Sequence, residues 1–358
     1  MKFIHCADLH LNSKIDNLTA VKSRFRRNEI LRTFERLCDY ATEQNVTAVI
    51  LAGDIFDSPK VSLKVRERFF TAIEKNSNVD FLYLLGNHDA DCSIKSAENI
   101  PSNLKFFEND WTYFRYEDTV IAGVCFDKRN GNFIYETLKL NEEDKNIVVL
   151  HGQGKNYNSI DETESVNFPR LKNKNIDYLA LGHIHTFEND KIDERGVYFY
   201  VGCLDGRGFD ELGKKGFMMV DTSDKKVSYE FIPFCSREYH VYEAEMGGKD
   251  NFTQARNELV DKLKSTLPNS SLIKVVLKGE INPEFQIDKD TLVSMLEEHF
   301  FYAKVYDKTT LKINVKDYVF DKSIRGEFVR CVLSSDLDDE TAKKILITGL
   351  NALKGEEI

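Results

Sequence analysis

Five short apolar runs, each stopping at Asp, Asn or His, constrain this chain more than any other feature. The fullest is Phe81-Leu82-Tyr83-Leu84-Leu85, followed by Gly86-Asn87-His88-Asp89. It is too short for a helix and too continuous for a half-exposed strand, so it predicts a strand buried on both faces. Gly86 permits a sharp turn. Asn87, His88 and Asp89 then fall at the carboxyl end of a central strand, where open α/β sheets place their ligands. The design recurs at Phe3–Ala7 before Asp8-Leu9-His10, and at Ala48–Ala52 before Gly53-Asp54. It recurs again at Ile147–Leu150 before His151, and at Tyr178–Leu181 before Gly182-His183-Ile184-His185. Six of the eight histidines lie in these five stretches, which points to one shared site.

Asp8 and His10 are two apart, as are His183 and His185. On extended chain such residues project from the same face, roughly 6.6 Å apart. The pair could converge on one ion or straddle two ions about 3.5–4 Å apart, with Leu9 and Ile184 turned into the core. The donors are carboxylate, imidazole and one amide, with no thiolate, a set for Mn²⁺, Fe²⁺ or Zn²⁺ in a reactive site. Asp54 suits a bridging role, because one carboxylate can bind two ions and lower their repulsion. Two adjacent cations suit displacement at phosphorus, since they acidify a water and neutralise phosphate charge. His88 is placed to protonate the leaving oxygen, and Asp89 to hold the His88 imidazole in the required tautomer. His5, inside the first strand, reads as a hydrogen-bonded core residue. His240 and His299 read as exposed.

The 358 residues suffice for two domains with a sizeable core, and 42% apolar with 30% charged residues is a globular composition. No apolar run is long enough to span a bilayer. The N-terminus runs straight into a strand without a signal-peptide pattern, so a cytoplasmic protein is expected. Seven scattered cysteines without a CxxC read as reduced thiols. The net charge is −10, divided as −6 for residues 1–236 and −4 for the remainder, so neither part has the basic surface of a protein that grips duplex DNA unaided.

Lys22-Ser23-Arg24-Phe25-Arg26-Arg27 opens an amphipathic helix running to about Gln44. Its arginines suit either a solvated face or a phosphate backbone. A second helix is expected from Val61 to Lys75, entered through Pro59. Alternation from Leu104 to Phe126 suggests antiparallel strands. Lys128-Arg129-Asn130-Gly131-Asn132 reads as an exposed turn, and Gly152–Arg170 as a long surface loop beside the site. Strands near 197–201, 216–221 and 227–233 are expected to complete the layer. Near residue 236 the ligand-bearing strand ends cease and a small α+β pattern begins. Two amphipathic helices within 324–353 close the chain; they read first as packing on their own domain and second as a partner-docking surface.

These motifs resemble the calcineurin-like metallophosphoesterases over about the first 235 residues: Asp8-x-His10, Gly53-Asp54, Gly86-Asn87-His88-Asp89, His151 and Gly182-His183-Ile184-His185. The resemblance implies a two-sheet α/β sandwich flanked by helices (1–235), a small C-terminal α+β cap (236–320) and a helical tail (321–358). It assigns Asp8, His10, Asp54 and His185 to one metal and Asp54, Asn87, His151 and His183 to the other, with His88 as the transition-state histidine. Gly53–Asp57, Asp177–His185 and the Gly206–Glu211 loop with Lys214-Lys215-Gly216 are similar to the SbcD-type DNA repair exonucleases. That likeness implies manganese, DNA as substrate, a coiled-coil ATPase partner of the SbcC type, and a homodimer. Arg207, Lys128 and Arg129 are the candidate substrate contacts. A small-molecule phosphodiesterase would share every metal ligand, but the cap and the Arg207–Glu211 loop favour the nuclease. Asp89 stands where protein phosphatases carry Glu, and a non-catalytic scaffold would be expected to lack ligands that are all present here.

Overall fold

The computed structural model describes residues 1–16, 18–58, 60–89, 94–125, 133–154, 165–282, 285–312, 318 and 320–353. The chain divides into two compact units, Met1–Tyr239 and His240–Ile358.

The first unit contains two six-stranded sheets. In the first, β1 (Lys2–Cys6), β2 (Ala48–Ala52), β3 (Asp80–Leu84) and β4 (Leu104–Phe106) run parallel to one another. In the second, β5 (Thr112–Tyr116) and β6 (Thr119–Gly123) form a hairpin, and β6, β7 (Lys145–His151), Tyr178–Gly182 and Val197–Tyr200 follow one another in parallel. The ligand-bearing ends thus belong to three adjacent parallel strands of one sheet and two of the other.

Side-chain alternation explains the sandwich. Phe3, Ala48, Ile50, Ala52, Leu82 and Leu84 face Ile121, Ile147, Val149, Tyr178, Ala180 and Phe199 across the space between the sheets. The intervening Ile4, Cys6, Val49, Leu51, Phe81 and Tyr83 pack outward against helices α1 (Ala20–Glu43) and α2 (Leu63–Lys75), through Ile30, Phe34, Leu37, Phe69 and Ile73. Both faces are buried, so these strands read as unbroken apolar runs. His5 is a polar exception inside the sandwich. Its Nδ1 lies 2.9 Å from the Tyr178 hydroxyl, and burial brings its pKa down to about 3.

Several expectations change. Residues 104–106 form a parallel edge strand, and only 112–123 form the antiparallel hairpin. The three strands expected to complete one layer divide: Val197–Tyr200 joins the second sheet, whereas Gly216–Asp221 and Ser228–Pro233 return to the first, antiparallel beside β1. The second helix starts at Leu63, capped by the Ser62 side chain; Pro59 lies outside the described residues. His240 and His299 are half-buried rather than exposed.

The second unit has a three-stranded sheet of Tyr239–Glu245, Leu272–Lys278 and Tyr302–Asp307, the last two parallel around helix Lys289–Glu297. The closing helices, Ile324–Leu333 and Asp339–Ala352, contribute Val329, Val332, Leu346 and Leu350 to its core. Among the described residues, no helix is long and apolar enough to cross a membrane.

The basic segment at the start of α1 splits in two. Arg24 and Arg27 are exposed, whereas Arg26 is fully buried and donates to Asp205 Oδ1 and the Gly206 carbonyl, both at 2.8 Å. Asp205 also accepts from the Thr33 hydroxyl and the Ser236 amide, so α1 is fastened to the loop after residue 202. Arg26→Met leaves a buried carboxylate without its cation and is expected to cost roughly 3–5 kcal/mol in urea unfolding. Arg24→Met, two positions away, should stay within about 0.5 kcal/mol. Equal losses in the two variants would rule out this division of roles.

Candidate metal centre

The backbone makes its unusual turns where the ligands lie. Asp8, His10, Asp54 and His183 have φ of 51°, 43°, 51° and 99°. Non-glycine residues seldom occupy this region, and strain of this kind collects at functional sites. Asp8 and His10 therefore do not project from extended chain as the two-residue spacing suggested: β1 ends at Cys6, and a left-handed turn aims them. Likewise, the strand before His183 ends at Gly182. Leu9 is buried in the core and Ile184 packs on one, as expected. The turns hold one another: the amides of Asp8, His10 and Leu11 donate to the carbonyls of Gly53, Asp54 and Ile55 at 3.1, 2.9 and 2.8 Å. A Cβ on Gly53 would overlap the His151 imidazole, and one on Gly86 the Asp54 carboxylate.

The seven ligand candidates gather into two groups. Asp8, His10 and His185 form the first, and Asp54, His151 and His183 the second, with potential ligand atoms within 4.8 Å of one another in each. Asn87 joins the second group through its Oδ1, 3.0 Å from His151 Nε2 and 3.3 Å from His183 Nδ1. Asp54 Oδ2 lies between the groups, 3.3 Å from His151 Nε2 and 3.8 Å from His10 Nε2.

Both groups bring acceptors against acceptors. His185 Nδ1 lies 2.8 Å from Glu211 Oε1, and His10 Nδ1 lies 3.2 Å from Asp57 Oδ1. The Nε2 atoms of these two imidazoles are 3.1 Å apart, and in the tautomer that turns each Nδ1 proton toward its carboxylate both present lone pairs; Arg207 Nη2 also lies 3.1 Å from His185 Nδ1. His151 repeats the pattern: Nδ1 faces the Ala52 carbonyl at 2.9 Å, leaving Nε2 toward two oxygens, Asp54 Oδ2 and Asn87 Oδ1. Lone pairs so close repel unless a positive charge lies between them. Histidine ligands characteristically give their other N–H to a carboxylate or carbonyl, so the donor set fits two divalent cations.

The electrostatics agree. Burial pushes the Asp8 carboxyl up to about 6, against the pull of His151 and His185. Burial would also raise Asp54, but His151 and His10 outweigh it and hold that carboxyl below its usual range. Burial opposes the charge on His151, yet Asp54 and Asp8 raise it to about 9, so without a cation a proton on Nε2 meets the Asp54 carboxylate, in the place a divalent ion would take. Burial lowers His10 and His183 to about 4.

His88 is exposed beside the first group, its ring 4.9 Å from that of His10. Its amide donates to Asp54 Oδ1 at 2.9 Å, and its Nδ1 lies 3.2 Å from the Asp57 carbonyl. That carbonyl, and not Asp89, fixes the tautomer. Asp89 points the opposite way: fully buried, it accepts from the Tyr83 hydroxyl (2.5 Å) and from the amides of Gly86 (2.7 Å), Ile55 (2.8 Å) and Phe56 (3.3 Å). Burial raises it to about 6. It fastens the Asp54 loop to the Asn87-His88 loop and does not touch the imidazole, because three amides on those two loops and the Tyr83 hydroxyl of β3 satisfy it in the interior.

Arg207 is likewise no free substrate contact. Its guanidinium donates to Glu211 Oε1 at 2.7 Å and to Asp57 Oδ1 at 3.3 Å, linking the carboxylates behind His185 and His10. Lys128 and Arg129 lie outside the described residues, as does most of the Gly152–Arg170 loop. Asp57, Glu211 and Lys215 were missed as site residues, although all three stand in the motifs quoted above. The buried Lys215 ammonium holds the His185 carbonyl at 2.8 Å. Their signal is their proximity to ligands, which only the fold supplies.

A family model described as calcineurin-like phosphoesterase matches residues 1–187. The chain is 25% identical over 324 residues to the DNA double-strand break repair protein Mre11 of Sulfolobus acidocaldarius, covering 86% of this chain and 81% of the relative. It is 26% identical over 327 residues to the uncharacterized metallophosphoesterase YhaO of Bacillus subtilis, covering 83% and 76%. Among solved structures, a dimetal phosphatase from Danio rerio aligns with a TM-score of 0.47 and 10% identity, over 64% of this chain and 95% of that one. The facing sheets and the paired acceptor groups at their strand ends lie largely within the matched residues, and the chain belongs to the calcineurin-like phosphoesterases.

Proposed function

We propose that the chain is a manganese-dependent DNA nuclease of double-strand break repair, hydrolysing phosphodiester bonds and working with a coiled-coil ATPase of the SbcC type. The observation that carries the hydrolytic chemistry is the pair of acceptor groups sharing Asp54, with His88 exposed beside them. The repair role is supported by the likeness to the Sulfolobus acidocaldarius Mre11, which extends beyond the catalytic unit to 86% of the chain.

Asp8, His10, Asp54 and His185 would hold one ion and Asp54, Asn87, His151 and His183 the other. Bound there, divalent ions supply an acidified water and neutralise charge on the phosphate oxygens. The oxygen and nitrogen donors, with no thiolate among them, suit manganese. Glu211 and Asp57, which face the Nδ1 atoms of His185 and His10, would favour the Nδ1–H tautomer and hold both rings in one orientation. His88, with Nδ1–H on the Asp57 carbonyl, turns Nε2 outward, and in its doubly protonated form would pass the Nε2 proton to the leaving 3′ or 5′ oxygen, leaving the ring as the neutral Nδ1–H tautomer.

Three outcomes check these roles. With Mn²⁺, the purified chain should degrade linear single- or double-stranded DNA, and His88→Ala should lose about 10²–10⁴-fold of that rate; turnover confined to 2′,3′-cyclic nucleotides or p-nitrophenyl phosphate would move the protein to the small-ester reading. Elemental analysis should find two ions in His88→Ala and neither in Asp54→Ala; one fully occupied ion in the latter would rule out the bridge. Glu211→Ala should weaken metal binding at the His185 group by about 10–100-fold, seen as a split in the manganese titration that the parent lacks.

A further inference from the structure

A cavity of about 280 Å³ opens between the N-terminal halves of α1 and α2. Arg24, Arg27, Lys64 and Arg68 surround it with Asn12 and Asn28, over a floor that includes Leu31 and Val65. No carboxylate lines it, although the chain carries a net charge of −10. Arg68 is held from outside the cavity, where its Nε and Nη2 donate to Glu35 at 2.8 Å each. Among the described residues, no hydrogen bond or ion pair engages the guanidinium of Arg24 or Arg27 or the ammonium of Lys64. Four cations around one cavity repel one another unless an anion joins them, and guanidinium forks match phosphate oxygens. Both helices present their positive ends without an acidic residue in the first turn, which adds to the same field.

The position indicates which anion. Asn12 stands two residues beyond His10, which puts its Cα within roughly 7 Å of the ligand's Cα. A small ester reacting at the acceptor groups does not extend into this cavity, but a polymer with a charge on every unit does. We infer that this cavity is a phosphate-binding subsite that grips the backbone of a nucleic-acid strand beside the reacting phosphodiester. The inference rests on the reading of the substrate as nucleic acid. It explains how an acidic chain meets a polyanion: Arg24 and Arg27, three apart on the outer face of α1, form a local cationic lip, while Arg26 between them is spent on the fold.

The test compares the full chain with Arg24→Ala/Arg27→Ala/Lys64→Ala. A charge-matched control, Lys172→Ala/Lys225→Ala/Lys226→Ala, removes exposed lysines elsewhere on the same unit. Binding of a fluorescein-labelled DNA strand of about twenty nucleotides is followed by anisotropy in EDTA, so that no strand is cut, across a salt series. The cavity variant should bind about tenfold or more weakly, with a log Kd against log salt slope lower by about two to three, and the control should stay near the parent. Arg24→Lys/Arg27→Lys should retain most of the affinity, and Lys64→Glu alone should weaken binding without a change in melting temperature. Unchanged affinity and slope in the cavity variant, or an equal loss in the control, would overturn the subsite. So would loss of bis(p-nitrophenyl) phosphate turnover in the manganese-loaded cavity variant, since it would place these side chains at the metal centre. Cutting is scored separately: a parent that binds through the cavity but never cuts removes the nuclease reading alone, and one that neither binds nor cuts removes both.

Discussion

Asp8, His10, Asp54 and His183 turn left-handed directly after buried strands that cannot shift to relieve them. Strain of this kind costs of order 1–3 kcal/mol per residue and persists only where the surroundings over-determine it. Here the surroundings are two sheets packed face to face, with the loops after β1 and β2 hydrogen-bonded to each other. The strain has a chemical result. It brings His10 Nε2 against His185 Nε2, and it brings His151 Nε2 against Asp54 and Asn87. A relaxed backbone would let these acceptors part. The sandwich holds them together, and cations complete the balance.

Behind the candidate ligands lies a layer of charged groups that engage one another. Glu211 and Asp57 orient two imidazoles, Arg207 links those carboxylates, and Lys215 holds the His185 carbonyl. Farther in, Arg26 on α1 grips Asp205 and Gly206, just before Arg207 in the chain. Asp89 performs the corresponding task for the loops after β2 and β3. Each of these polar groups is costly to bury alone and stabilising only when paired. The metal centre and the fold of the first unit are therefore held by the same contacts.

Net charge proves a poor guide to the local field. The chain is acidic, yet carboxylates are absent from the lining of the cavity between α1 and α2, where four cationic side chains collect. A cleft lined by one sign of charge focuses its field regardless of the sum over the surface.

The sequence alone determined the buried strands, because a strand covered on both faces must be apolar at every position, and it determined which polar residues end them. It therefore also determined the donor chemistry: carboxylates, imidazoles and an amide without thiolates. The helices from Ala20 and Leu63 were legible from their 3.6-residue periodicity to within two residues of their observed starts. Only the tertiary structure decided how the five strands divide between two sheets, since an apolar run carries no mark of its neighbours; Gly216–Asp221 accordingly returned to the first sheet against expectation. It also decided what the second rank of residues does. Asp89 and Arg207 stand in motifs that suggest catalysis and substrate binding, but their side chains are satisfied inward, by Tyr83 and backbone amides and by Glu211 and Asp57. Orientation depends on which partners the fold brings within hydrogen-bonding reach, and partners distant in sequence, such as Arg207 and Asp57, come together only when the sheets close on each other.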